Sequence, residues 1–75
     1  MSRLPQVTAR EMIAALTRAG FVVARVKGSH HFLVHESDPT RWATVAMHGG
    51  DLRTDSVRDI LKRAKLSRSD FIKLL

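Results

Sequence analysis

The chain contains no cysteine among its 75 residues. That removes a disulfide framework, a thiolate zinc site and a thiol nucleophile together, and leaves a small core without covalent or metal staples. Long apolar runs are missing as well. No window approaches the roughly 18 uncharged apolar residues of a membrane span, and the N-terminal residues lack the apolar stretch of a signal peptide. The expectation is a cytoplasmic protein that uses no membrane. Glycine is scarce, at four residues, and no Gly-rich phosphate loop, nucleophile elbow or closely spaced pair of acids can be drawn from the sequence. A chain this short buries only about 60% of its unfolded surface, too little to build a dinucleotide-binding or barrel fold, so no cofactor is expected. Residues 1–75 should form one domain.

Acidic residues are also few, seven against 13 Lys and Arg, for a net charge of +6. Residues 1–27 hold five basic and one acidic residue, residues 28–52 one and three, and residues 53–75 seven and three. Two basic ends flank an acidic middle, a layout that points to a polyanion, most simply a nucleic acid.

Local patterns order the elements. Thr8 and Glu11 have capping-box spacing, Met12, Ile13, Leu16 and Ala19 follow at helical steps, and Gly20 suits a left-handed cap, predicting a helix over 8–19. The run from Phe21 to Lys27 is β-branched and aromatic, Gly28-Ser29 suits a type II′ turn, and strands are predicted over 30–36 and 42–47 around a turn at 37–41. Val57, Ile60, Leu61 and Ala64 predict a second helix, with Thr54 as its N-cap, and Ser67 with Asp70 predicts a short last helix over 68–75. The fold class expected is α+β: a two-layer α-β-β-β-α arrangement with a three-stranded antiparallel sheet, one face under both main helices and the other open. Phe32 and Trp42, isolated aromatics, are assigned to the core in preference to a base-stacking role.

Four histidines, three of them in His30-His31-Phe32-Leu33-Val34-His35, are the least ordinary feature. Imidazole can both give and take a proton near neutrality. A two-residue turn at Gly28-Ser29 places Lys27 opposite His30, and a symmetric loop with Glu36 opposite Trp42 places His30 opposite His48. Lys27, His30 and His48 would then lie side by side on one face, where a lysine could hold a phosphate while an imidazole moves a proton. His31 points to the other face, and His35 lies at the far strand end; both are read as structural or surface residues. No ligand spacing stands out for a metal, and none is expected.

Taken together, Leu4-Pro5, Arg18-Ala19-Gly20-Phe21, Lys27-Gly28-Ser29-His30-His31, Thr44-Val45-Ala46-Met47-His48 and Asp55-Ser56-Val57-Arg58-Asp59-Ile60-Leu61-Lys62-Arg63-Ala64 resemble the HicA toxin family. The chain departs from the family pattern at Ala46, where proline is usual, and at Asp55-Ser56-Val57, where the family has Gly-Thr-Leu. The resemblance implies a fold like that of double-stranded-RNA-binding domains, metal-independent cleavage of mRNA, and neutralisation by a HicB-like antitoxin. It also implies a catalytic role for His30. His48 is the candidate second acid or base, and Arg25, Lys27, Gly28 and Ser29 are candidate RNA contacts. Two other readings stay open at this level: a non-catalytic RNA-binding module of the same fold, and a DNA-binding regulator using the second main helix.

Overall fold

A computed structural model describes residues 4–75, with the element order α1 (Ala9–Arg18), β1 (Phe21–Lys27), β2 (His30–His35), β3 (Trp42–Ala46), α2 (Thr54–Ala64) and α3 (Arg68–Lys73). The three strands form one antiparallel sheet in the order β1-β2-β3. This is the expected α+β layout.

The start of α1 follows from its capping box. The Thr8 hydroxyl accepts from the Glu11 N–H at 3.1 Å, and the Thr8 N–H donates to Glu11 Oε1 at 2.9 Å, satisfying two of the donors every helix start leaves open. At its other end Gly20 takes φ +99°, which releases the chain into β1. Of the two central residues in the β1–β2 turn only Gly28 has positive φ, at +58°, as a type II′ turn requires.

Two details of the sheet depart from the sequence expectation. The β2–β3 pairing runs His30↔Ala46 to Val34↔Trp42, so His30 faces Ala46 and not His48. The loop accounts for this. Asp38 Oδ1 accepts from both the amide and the hydroxyl of Thr40, closing a tight turn, and the His35 N–H donates to the Arg41 carbonyl at 2.9 Å. Glu36 leaves the strand and its N–H donates to the Gly20 carbonyl instead. The second departure is a bulge between Val23 and Arg25. The extra residue reverses the alternation of β1: Phe21 pairs with His35 and is buried, while Lys27, an even number of residues away, pairs with His30 on the opposite face.

The core gathers Met12, Ala15 and Leu16 of α1, Phe21, Leu33, Ala43 and Val45 of the sheet, Val57, Ile60, Leu61 and Ala64 of α2, and Phe71 of α3. Each large apolar side chain so buried contributes about 1.5–3 kcal/mol relative to exposure. Phe32 and Trp42 do not belong to it. They lie half-buried on the opposite face of the sheet, correcting their assignment to the core, because strand alternation puts residues 32 and 42 out of phase with buried Leu33 and Ala43.

Helix α2 packs on β3 and begins one residue earlier than expected: its N-cap is Arg53, with no side-chain cap, and Thr54 is the first helical residue. The Asp55 carboxylate in the first turn faces the positive end of the helix dipole. At the other end Arg41 Nε donates to the Ala64 carbonyl at 2.8 Å, and Lys65 takes the left-handed cap with φ +55°. Among the described residues no helix is long and apolar enough to cross a membrane.

Candidate active site

The turn between β1 and β2 and the loop that follows β3 set the site. His30 opens β2 directly after the Gly28-Ser29 turn, exposed, with Lys27 as its partner on β1 and Ala46 on β3. Beyond Ala46 the chain leaves the sheet. The Met47 N–H donates to the Ser29 carbonyl at 2.7 Å and the His48 N–H to the Ala46 carbonyl at 3.1 Å, which holds the end of β3 against the hairpin tip. The loop is tied down further on, where the Leu52 N–H donates to the Val7 carbonyl at 2.7 Å and Thr8 bridges Asp51.

Between this loop, the outer face of β3 and the first turns of α2 lies a cleft of about 380 Å³, lined by both His30 and His48. The two imidazoles expected to be neighbours across a ladder therefore do share a site, although they are not paired residues. The β2–β3 register is shifted by two, an even number, so His30 keeps the face assigned to it.

Lys27 flanks His30 on the β1 side, away from the cleft, and Arg25 lies further along the same face with its guanidinium 6.0 Å from the Phe32 ring centroid. Gly28 and Ser29 form the turn that carries His30, and Ser29 uses its carbonyl to anchor Met47. Basic groups thus lie along β1 next to His30, where phosphates would be drawn.

The opposite wall of the cleft comes from residues that the sequence did not single out: Asp51, Arg53, Ser56 and Asp59. Ser56 and Asp59 were signalled as polar residues at helical spacing beside the apolar stripe of α2, whereas Asp51 and Arg53 lie in the loop before it. Arginines in and beside this wall are braced. Arg53 pairs with Asp55 at 3.2 Å and Arg63 with Asp59 at 3.0 Å. The Arg53 side chain holds the Asp55 carboxyl below its ordinary value through that hydrogen bond and its charge, with desolvation acting the other way. The cleft mixes signs, whereas the β1 flank is purely basic.

The other two histidines serve different ends. His35 Nδ1 accepts from the Ser37 N–H at 3.1 Å, so Nε2 carries the proton and donates to the Ala19 carbonyl at 3.1 Å. Its ring meets Phe21 edge-on at 5.1 Å. This is a structural histidine joining the end of α1 to the sheet. His31 faces away from the cleft, its Nδ1 shielded from solvent and without a hydrogen-bond partner among the described residues. No group of three or more His, Asp or Glu side chains among the described residues could hold a metal ion.

An exposed imidazole beside a lysine, with a second imidazole in the same cleft, can take a proton at one point and return it at another. A family model described as the HicA toxin of bacterial toxin–antitoxin systems matches residues 9–66, which contain every residue of the site. No curated protein matches the chain.

Proposed function

Starting from a chain that belongs to the HicA toxin family, the toxin half of a toxin–antitoxin pair with a cognate antitoxin as partner, we propose that it is a metal-independent endoribonuclease acting on mRNA through His30. The observation that carries this reading is the shared cleft: His30 and His48 line one depression of about 380 Å³, with Lys27 directly beside His30.

In the proposed reaction His30 removes the proton of a ribose 2′-hydroxyl, and the oxygen attacks the adjacent phosphorus. The bond from phosphorus to the 5′-oxygen breaks, and His48 delivers a proton to that leaving oxygen. The products are a 2′,3′-cyclic phosphate and a 5′-hydroxyl. Lys27 and the Gly28-Ser29 backbone steady the phosphoryl oxygens as charge builds on them. RNA is chosen over DNA because only RNA carries the nucleophile. This economy suits so small a protein, since the substrate supplies the attacking group.

The antitoxin, a HicB-like protein, would silence the toxin by covering the His30 face, with its acidic groups set against Lys27 and Arg25. The deciding experiment is incubation of purified wild type and His30→Ala with RNA, followed by end-group analysis. Cleavage by the wild type with cyclic phosphate ends, lost in His30→Ala, is expected. Cleavage that survives in His30→Ala refutes the assignment, and no cleavage by either leaves a binding module.

A further inference from the structure

Across the open face of the sheet, beyond the cleft, two aromatic rings meet between two cationic groups. The Arg25 guanidinium on β1 stands 6.0 Å from the ring centroid of Phe32 on β2. Phe32 meets Trp42 on β3 at 6.0 Å between centroids, with planes tilted by 40°. The Arg63 guanidinium on α2 stands 4.7 Å from the Trp42 centroid and is held there by its ion pair with Asp59. The ribbon therefore runs without a break from one side of the sheet to the other. It starts two residues from His30, about 7 Å along β2 at the rise of an extended strand.

The fold does not explain these rings, because the core closes without either of them. Nor does the face suit an acidic or neutral partner equally. None of the strand residues it presents is acidic, while Arg25 and Lys27 are basic. Half-buried aromatic rings, each with a guanidinium resting over it, are complementary to one chemistry above others, a polyanion whose phosphates can draw the guanidinium away and whose units also carry flat rings to take its place.

The geometry points to a stacking platform for unpaired nucleobases, formed by Phe32 and Trp42, on which a base takes the place of the guanidinium of Arg25 or Arg63. That the strand is RNA rests on the reaction proposed for His30; the stacking itself does not. Every base has a π-face, so stacking accepts any sequence. A duplex keeps its bases stacked on one another and cannot offer them to the protein. The platform therefore selects single strands and holds the nucleotide next to the scissile phosphate, while Lys27 and Arg25 track the backbone.

Trp42 is the sole tryptophan of the chain and reports directly on the platform. His30→Ala protein, which leaves RNA intact on this reading, is titrated with oligouridylate, with duplex RNA of the same length and with an abasic ribose-phosphate strand of equal charge. Oligouridylate should quench the indole emission and bind tightest; the duplex and the abasic strand should leave the emission unchanged. Adding Phe32→Ala should weaken oligouridylate about 5- to 150-fold, the range that stacking of one base spans, without altering the abasic strand, and Phe32→Tyr should restore binding. Equal affinity for the oligouridylate and abasic strands without quenching overturns the proposal. So does indole emission that changes with protein concentration alone, which would make the face a contact between copies. Quenching by the single strand stands whether or not Phe32→Ala folds. Quenching without cleavage by the wild type would refute the role of His30 and leave the platform; cleavage without quenching would do the reverse.

Discussion

His35 and His30 lie five residues apart on one strand, and removing each should have opposite consequences. The perturbation is His35→Ala. It deletes the hydrogen bond from Nε2 to the Ala19 carbonyl and the one from the Ser37 N–H to Nδ1, both 3.1 Å. It also deletes an edge-on packing of the imidazole against buried Phe21 at 5.1 Å. The partly buried hydrogen bond contributes about 1 kcal/mol and the aromatic pair about 0.5–1.5 kcal/mol. Together with the apolar surface that the ring covers, the sum is about 2–3 kcal/mol. For a domain of this size each kilocalorie moves the midpoint by about 4–8 °C, so His35→Ala should lower Tm by about 10–20 °C. His30→Ala, at an exposed position, should change stability by no more than about 0.5 kcal/mol while losing cleavage. Thermal unfolding followed by circular dichroism reads the first quantity, and RNA cleavage well below both midpoints reads the second. Gly20→Ala sharpens the comparison. A Cβ there would lie 2.9 Å from His35 Nε2, at a backbone φ of +99°. Its cost should therefore shrink in the His35→Ala background, where the clash is gone and only the backbone strain is left. The reasoning fails if His35→Ala melts with the wild type, or if the cost of Gly20→Ala is the same in both backgrounds.

Replacing Lys65, which caps α2 at φ +55°, by glycine should stabilise the protein by about 0.5–1 kcal/mol, since an L residue is strained there and what is removed is an exposed hydrogen bond to Thr40 and an exposed charge near Asp38; unfolding in urea checks it, and a lower midpoint refutes it. Hydrogen bonds from the Thr40 hydroxyl and amide hold the Asp38 carboxyl below its ordinary 3.8, with desolvation opposing them and the charges of Lys65 and Arg41 giving smaller help. Because its folded value is lowered, the turn's contribution to stability is present above the unfolded value and is lost as pH falls through the folded one. A titration of the Asp38 carboxyl carbon by NMR should show a midpoint under 3.8, and a midpoint at or above that value contradicts the hydrogen-bond reading. His48→Ala should slow cleavage about 10²-fold or more, as loss of a general acid does, and a substrate whose leaving 5′-oxygen is replaced by sulfur, which departs without a proton, should be cleaved nearly as fast as by the wild type; an equal loss on both substrates assigns the proton to another group.

Local chemistry was enough to locate the elements. The Thr8–Glu11 pair, the Gly28-Ser29 turn and the 57-60-61-64 stripe each rest on interactions within a few residues, so they are readable before any tertiary structure is known. The same holds for the Lys27–His30 pair, which a two-residue turn determines alone. Thr54 misled because the real start of α2 has no side-chain cap to read, only the dipole-favoured Asp55.

What the chain could not show by pattern alone depended on how distant segments meet. A single extra residue near Ala24 turns β1 over, so that Phe21 enters the core while Lys27 stays on the face of His30, and no local preference marks it. The β2–β3 register was set by Asp38 closing its own turn and by Glu36 bonding to Gly20, and the partners in that second interaction lie in separate connections, before β1 and after β2. Tertiary packing alone brought the wall of Asp51, Arg53, Ser56 and Asp59, from the loop after β3 and the start of α2, opposite His30. It also aligned Phe32 and Trp42 with arginines from two other elements. By itself the sequence determined which residues can do chemistry; the fold decided which of them face the same substrate, because facing depends on register and register is a sum over interactions between segments far apart in the chain.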